Sequence, residues 1–182
     1  MMKVLVVGAS GVLGRNVIPL LVREGYEVTG ITRSVEKVGI LRSLGSHPVV
    51  CNVYDMPRLY NVVRESNPDV IISFLTDLPD DMKLINEFAP LNNKIRREGT
   101  ANLIRVSKDI GVSRIYMESV AWKLNGDSGR AVDEMESIVK EANGVVLRYG
   151  RLYGEGTYYV NEIPPPPRVR IDKAALMTVE AL

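Results

Sequence analysis

The sequence predicts an α/β fold, a doubly wound parallel sheet with helices on both faces. Three observations carry this. Short β-branched apolar runs recur along the chain, segments of helical periodicity separate them, and evenly spaced glycines close the first run. Runs that are apolar at adjacent as well as alternate positions suit strands buried on both faces, as in a parallel sheet.

Each element follows in order. "KVLVVGA" (3–9) is the first strand. "GVLGRNVIPLLVREG" follows, with Val12, Leu13, Val17, Leu20 and Leu21 at helical spacing, Gly25 as its stop, and Pro19 inside it as a kink or a lost hydrogen bond. "EVTGITR" (27–33) is the second strand, and 34–45 a helix with Ser34 as N-cap. "HPVVCNV" (47–53) is the third strand. Residues 56–66 form a helix with Pro57 in its first turn, where proline is tolerated. "PDVIISFL" (68–75) is the fourth strand. "TDLPDDMKLINEFA" (76–89), polar and broken by Pro79, is expected to be a surface loop or lid. A long helix covers 90–111, with Gly99 in its middle implying close packing there. The fifth strand is 113–120, a helix covers 128–143, and the sixth strand is "GVVLRYG" (144–150). "PPPP" (164–167) is a stiff connector, after which a short strand and a helix capped by Asp172 are expected. The domain expectation is a nucleotide-binding unit over 1–160 and a short remnant over 161–182.

Composition limits the function classes. Lys and Arg number 23 against 22 Asp and Glu, so no basic excess points to nucleic acid. The single cysteine, Cys51, excludes an internal disulfide framework and fits a reducing, cytoplasmic compartment. No apolar run is long enough for a bilayer span, and the strand pattern at the very start is not the layout expected of a signal peptide. No Cys, His or Asp cluster has metal-ligand spacing. His47, before Pro48, reads as a structural or exposed residue.

The loop "GASGVLG" joins the first strand to the first helix. Gly8 permits a tight turn, Gly11 lets the backbone approach a pyrophosphate, and Gly14 lets the helix pack on the strand. NAD-binding chains commonly place an acid roughly 20 residues further on, for the ribose hydroxyls. Here that place holds Arg33, followed by Ser34 and Lys37, so a 2′-phosphate is favoured and NADP(H) is the preferred cofactor, with NAD(H) possible.

"GASGVLG", "ITRS", "EGTANLIRVSKDIGVSRIYMESV" and "VVLRYGRLYGEGT" together resemble the NAD-dependent epimerase/dehydratase family, the extended or atypical short-chain dehydrogenases of Rossmann fold. "LTDLPD" is similar to one atypical branch. The resemblance runs over about residues 3–160. It implies that Gly8, Ser10, Gly11, Val12, Leu13 and Gly14 cradle a pyrophosphate and that Arg33 meets the adenosine phosphate. It implies that Asn52 and Val53 bracket adenine, and that Phe74, Leu75 and Thr76 approach the ribose and nicotinamide. Ser119 stands where the family's catalytic Ser or Thr lies, and Tyr149 and Gly150 stand beside the nicotinamide.

The same resemblance exposes departures. The family's tyrosine and lysine, four residues apart on one helix face, fall on Ser128 and Val132 here. Arg96 replaces an Asn three residues before Gly99, with Asn93 one turn earlier as a substitute. The substrate region is short. The chain is thus expected to be either an oxidoreductase on a small carbonyl or nucleotide-sugar substrate, with Ser119 or Tyr149 in catalysis, or a non-catalytic dinucleotide sensor or partner-binding module. A third reading is an enzyme completed by another subunit. Apolar surface left by the short C-terminal segment leads to an expected homo-oligomer.

Overall fold

The computed structural model describes residues 1–182. Strands β1 (Lys3–Val7), β2 (Glu27–Thr32), β3 (His47–Val50), β4 (Val70–Ser73), β5 (Ile115–Val120) and β6 (Val145–Tyr149) form one parallel sheet in the order β3-β2-β1-β4-β5-β6. The helices between them are α1 (Val12–Arg23), α2 (Val38–Ser43), α3 (Met56–Ser66), α4 (Ile85–Lys94), α5 (Thr100–Ile110) and α6 (Gly126–Glu141). A second, two-stranded parallel sheet pairs β7 (Arg151–Tyr153) with β8 (Arg168–Arg170), and α7 (Ile171–Glu180) ends the chain. This is the Rossmann-type architecture. Strand order reverses beside β1, and a crevice opens there at the carboxyl ends of the strands.

Alternation along the strands feeds two cores. Leu5, Ile71, Met117 and Ile115 face the layer of α3, α5 and α6, whereas Val4, Val6, Ile72 and Tyr116 face α1 and α7. The C-terminal segment belongs to the second core: Ile171, Ala174 and Ala175 of α7 are buried with Val17, Ile18 and Leu21 of α1. No helix is long and apolar enough to cross a membrane.

Four local expectations need correction. Residues 76–89 are not all loop: Asp81 accepts a hydrogen bond from the Lys83 N–H, a 3₁₀ turn covers Met82–Leu84, and α4 begins at Ile85. Pro90 lies inside α4 on its exposed side, so the carbonyl whose bond it forfeits can turn to water. The long helix is interrupted by a π-helical turn over Ile95–Gly99, so it does not run unbroken from 90 to 111. Ser34 flanks a 3₁₀ turn, Val35–Lys37, without capping it through its side chain. Asp172 is not the cap of α7; Arg170 holds that position, and Asp172 sits in the first turn, paired with Arg170 at 2.7 Å.

Candidate dinucleotide cleft

The glycine loop leaves β1 at the crevice. Gly8 adopts φ +74°, and a Cβ there would stand 2.5 Å from the Phe74 carbonyl oxygen at the end of β4. A Cβ on Gly14 would stand 2.3 Å from the Ala9 carbonyl oxygen, so the helix lies directly on the loop backbone. Gly11 is exposed and forms the N-cap of α1 with no side-chain cap and no acidic residue in the first turn. The leading N–H groups of α1 are therefore left to solvent or an anion. Ser10 shares a 3.0 Å hydrogen bond with Thr32 Oγ1, which ties the loop to the end of β2. The Leu13 side chain is buried, so only its backbone faces the crevice, while Val12 points into an adjoining cavity of about 760 Å³. Arg15 of α1 and Tyr153, Gly156 and Arg170 of the C-terminal region line the same cavity.

The side of the crevice at β2 and β3 converges from three elements. Leu75, after β4, and Val53, after β3, both approach Gly99 on the π-turn, where a Cβ would lie 3.3 Å from Val53 Cγ2 and 2.9 Å from Ile95 Cγ1. The glycine at 99 thus has the packing reason expected of it. Asn52 is exposed, and its Oδ1 accepts from the Tyr54 N–H at 3.1 Å, leaving its amide nitrogen outward. Lys94 lies 5.0 Å from the centre of the Tyr54 ring. Burial raises the Tyr54 hydroxyl pKa, with Asp77 adding to the shift and Arg33 opposing it. Arg33, mostly exposed, forms an ion pair with Asp77, whose own side chain is 9% exposed. The Asp77 N–H in turn donates to Asn92 Oδ1 at 2.9 Å. Ser34 donates its hydroxyl to Glu36. Thr76 is half-buried on the segment between Leu75 and Asp77, and Phe74 turns its side chain into the core.

The other side of the crevice is organised differently. Ser119 is buried and donates to Glu136 Oε1 at 2.7 Å; Arg148 Nε donates to the same oxygen at 2.8 Å, and Lys140 reaches Oε2 at 3.1 Å. Arg148 holds the Glu136 carboxyl at a pKa of about 2, with Ser119 and Lys140 assisting. Arg148 thereby anchors β6 to α6. Tyr149 extends to the α7 layer, where its hydroxyl shares a 2.7 Å hydrogen bond with Thr178, and burial raises its pKa strongly. Gly150 fits tightly under the second sheet, a Cβ there lying 2.6 Å from the Arg168 nitrogen. Val132 and Gly129 of α6, with Trp122, Glu136 and Arg148, line a cavity of about 270 Å³. Ser128 is half-buried beside it.

Two charged residues at this rim were not singled out as a pair by the sequence. Burial pushes the Glu118 carboxyl up to about 7, against the pull of Arg96, itself buried with its pKa lowered by desolvation. Glu118 lies on β5, and neither periodicity nor spacing links it to Arg96 on the π-turn, 22 positions upstream. Asn93 is committed elsewhere: its amide donates to Asp127 at 2.9 Å, and Arg97 clamps Asp127 and Glu134 from the next turn. No group of His, Cys, Asp or Glu is placed to hold a metal ion.

A family model described as "NAD dependent epimerase/dehydratase family" matches residues 4–128. A 3-diazoavenalumate denitrifying reductase from Streptomyces is 29% identical over 203 residues, covering 96% of this chain and 64% of that protein. The chain thus spans less than two thirds of that relative's length. Among solved structures, a UDP-glucose 4-epimerase from Brucella ovis in complex with NAD superposes with a TM-score of 0.80 over 98% of this chain and 72% of that one, at 16% identity. A putative NAD-dependent epimerase/dehydratase from Bacillus halodurans gives a TM-score of 0.76 over 97% of this chain and 86% of its own, at 21% identity. At those identities the likeness is one of fold.

Proposed function

The chain belongs to the NAD-dependent epimerase/dehydratase family, and from that premise we propose that it binds a nicotinamide dinucleotide in the crevice, with NADP(H) preferred over NAD(H). The observation that carries this is the uncapped start of α1 at Gly11, between two glycines whose places a Cβ would fill. The residues present fit the group. The leading amides of α1 would receive the pyrophosphate, Val53 and Leu75 would flank adenine beside Gly99, and Arg33 would meet a 2′-phosphate. When bound, the nicotinamide would supply hydride exchange with a small carbonyl or nucleotide-sugar compound. Thermal unfolding with NADPH, NADH and ADP tests the proposal. Stabilisation in the order NADPH, NADH, ADP is expected; no shift with any of them would overturn it.

A second reading has its own observation. Val132 lines the small cavity where a lysine would act, and Ser128 stands in the tyrosine position, so a dinucleotide sensor or partner-binding module accounts for the chain equally well. Turnover separates the two. NADPH oxidation against a panel of carbonyls and nucleotide sugars, with and without cell extract, supports an enzyme if any substrate is consumed. Stable binding with no consumption supports the sensor. The exposed Leu176 and Met177 on α7, with Val160 and Ile163 also exposed, support a homo-oligomer, which light scattering would check.

A further inference from the structure

In the sheet order β2-β1-β4, the glycine loop emerges between the ends of β2 and β4. Arg33 follows β2 and Asp77 follows β4, so their ion pair bridges the two strands that flank the loop. The two partners are not held alike. The Arg33 side chain is 61% exposed and is tied at this end only by Asp77, whereas the Asp77 carboxyl is 9% exposed and its backbone is fixed by Asn92. Asp77 is the buried, backbone-anchored member, and Arg33 the exposed one. Ser34, the next potential phosphate donor, is directed to a carboxylate, Glu36, instead. The positive charge that would select a 2′-phosphate is thus already neutralised by an acid built into the neighbouring strand end.

We propose that Asp77 is a specificity-determining residue of the cleft, competing with a nucleotide 2′-phosphate for Arg33 and so narrowing the preference between NADP(H) and NAD(H). This rests on the dinucleotide reading above. A phosphate entering beside Arg33 must either displace the Asp77 carboxylate or lie next to it, and both oppose the phosphate's attraction to the cation. A ribose hydroxyl meets no such opposition, because a carboxylate can accept its hydrogen bond. The preference of the native chain is therefore set by the difference between Arg33's two anionic partners and not by Arg33 alone.

Equilibrium titration of NADPH and NADH, followed by nicotinamide fluorescence and by calorimetry, tests this in the native chain, Asp77→Asn and Arg33→Ala. Asp77→Asn keeps the side-chain shape and the Asn92 bond to the backbone. It is expected to raise the ratio of NADPH to NADH affinity by roughly tenfold, the worth of one charge-assisted hydrogen bond. Arg33→Ala is expected to lower that ratio, and adding Asp77→Asn to it should change nothing further. In the native chain, 2′,5′-ADP is expected to increase hydrogen exchange over residues 76–84 while 5′-AMP does not, a readout available even if a variant fails to fold. An unchanged affinity ratio in Asp77→Asn, or in its absence equal exchange with both fragments, overturns the role of Asp77 and leaves the dinucleotide reading standing. Failure of both dinucleotides to bind the folded native chain overturns both.

Discussion

The two halves of the crevice differ in what they are made of. The half at β1, β2 and β3 is built from backbone: glycine positions, the bare start of a helix, and apolar side chains meeting at Gly99. The half at β5 and β6 is built from side chains that already have partners, with Ser119 on Glu136, Arg148 on Glu136 and Tyr149 on Thr178. A backbone site keeps its donors whatever the neighbouring side chains are. A side-chain site is weakened once its polar groups satisfy one another, as Ser119 does with Glu136, Tyr149 with Thr178 and Arg33 with Asp77. The proposed nucleotide site therefore rests mainly on backbone, while the hydroxyls of Ser119 and Tyr149 are occupied within the fold.

Substitutions at the two halves should separate by size and by pH. Gly14→Val places a side chain against the Ala9 backbone, only 2.3 Å from the new Cβ, where neither partner can yield. A loss above about 3 kcal/mol is expected, seen as absence of a cooperative urea transition. Glu136→Ala leaves Ser119 buried without its acceptor and removes the partner of Arg148, for about 2 kcal/mol by urea unfolding at pH 7. Its pH signature follows from a folded pKa of about 2 against the ordinary 4.5. The carboxylate's contribution is complete above 4.5 and is lost as pH falls from there towards 2, so the gap between native chain and Glu136→Gln should close over that window.

Glu118 should behave in the opposite sense. Its folded pKa of about 7 lies above the ordinary 4.5, so the folded state holds the proton longer, and stability is lost as pH rises from 4.5 through 7. Glu118→Gln is expected to gain about 1 kcal/mol at pH 8 and nothing near pH 4.5, measured by thermal melts across that range. The smallest effect is expected of Tyr149→Phe. Thr178 keeps its bond to the Ala174 carbonyl, so the loss should be at most about 1 kcal/mol, and nucleotide affinity should be unchanged in the same titrations. A large loss of affinity would place Tyr149 in the cleft and erase the contrast between the halves.

The strands were legible because burial on both faces leaves an unmistakable apolar run, and all six appear within a few residues of where they are expected. The start of α4 was not, because Pro79 and Pro90 punctuate a polar segment whose helix is secured by the Asp81 turn and by Asn92 holding Asp77. The glycine loop announced its own backbone geometry, since spacing fixes it locally. The partners of Arg33, Ser119 and Tyr149 lie tens of residues away, and no local pattern reports them.

By itself, then, the sequence determined the doubly wound sheet and the backbone geometry of the glycine loop, both properties of local spacing. Only the tertiary structure decided which hydroxyls are occupied, that Glu118 faces the field of a buried Arg96, and that the cation at 33 is met by Asp77. The reason is physical. A backbone conformation is set by the residues that adopt it, whereas the charge and availability of a side chain are set by whatever the fold brings against it.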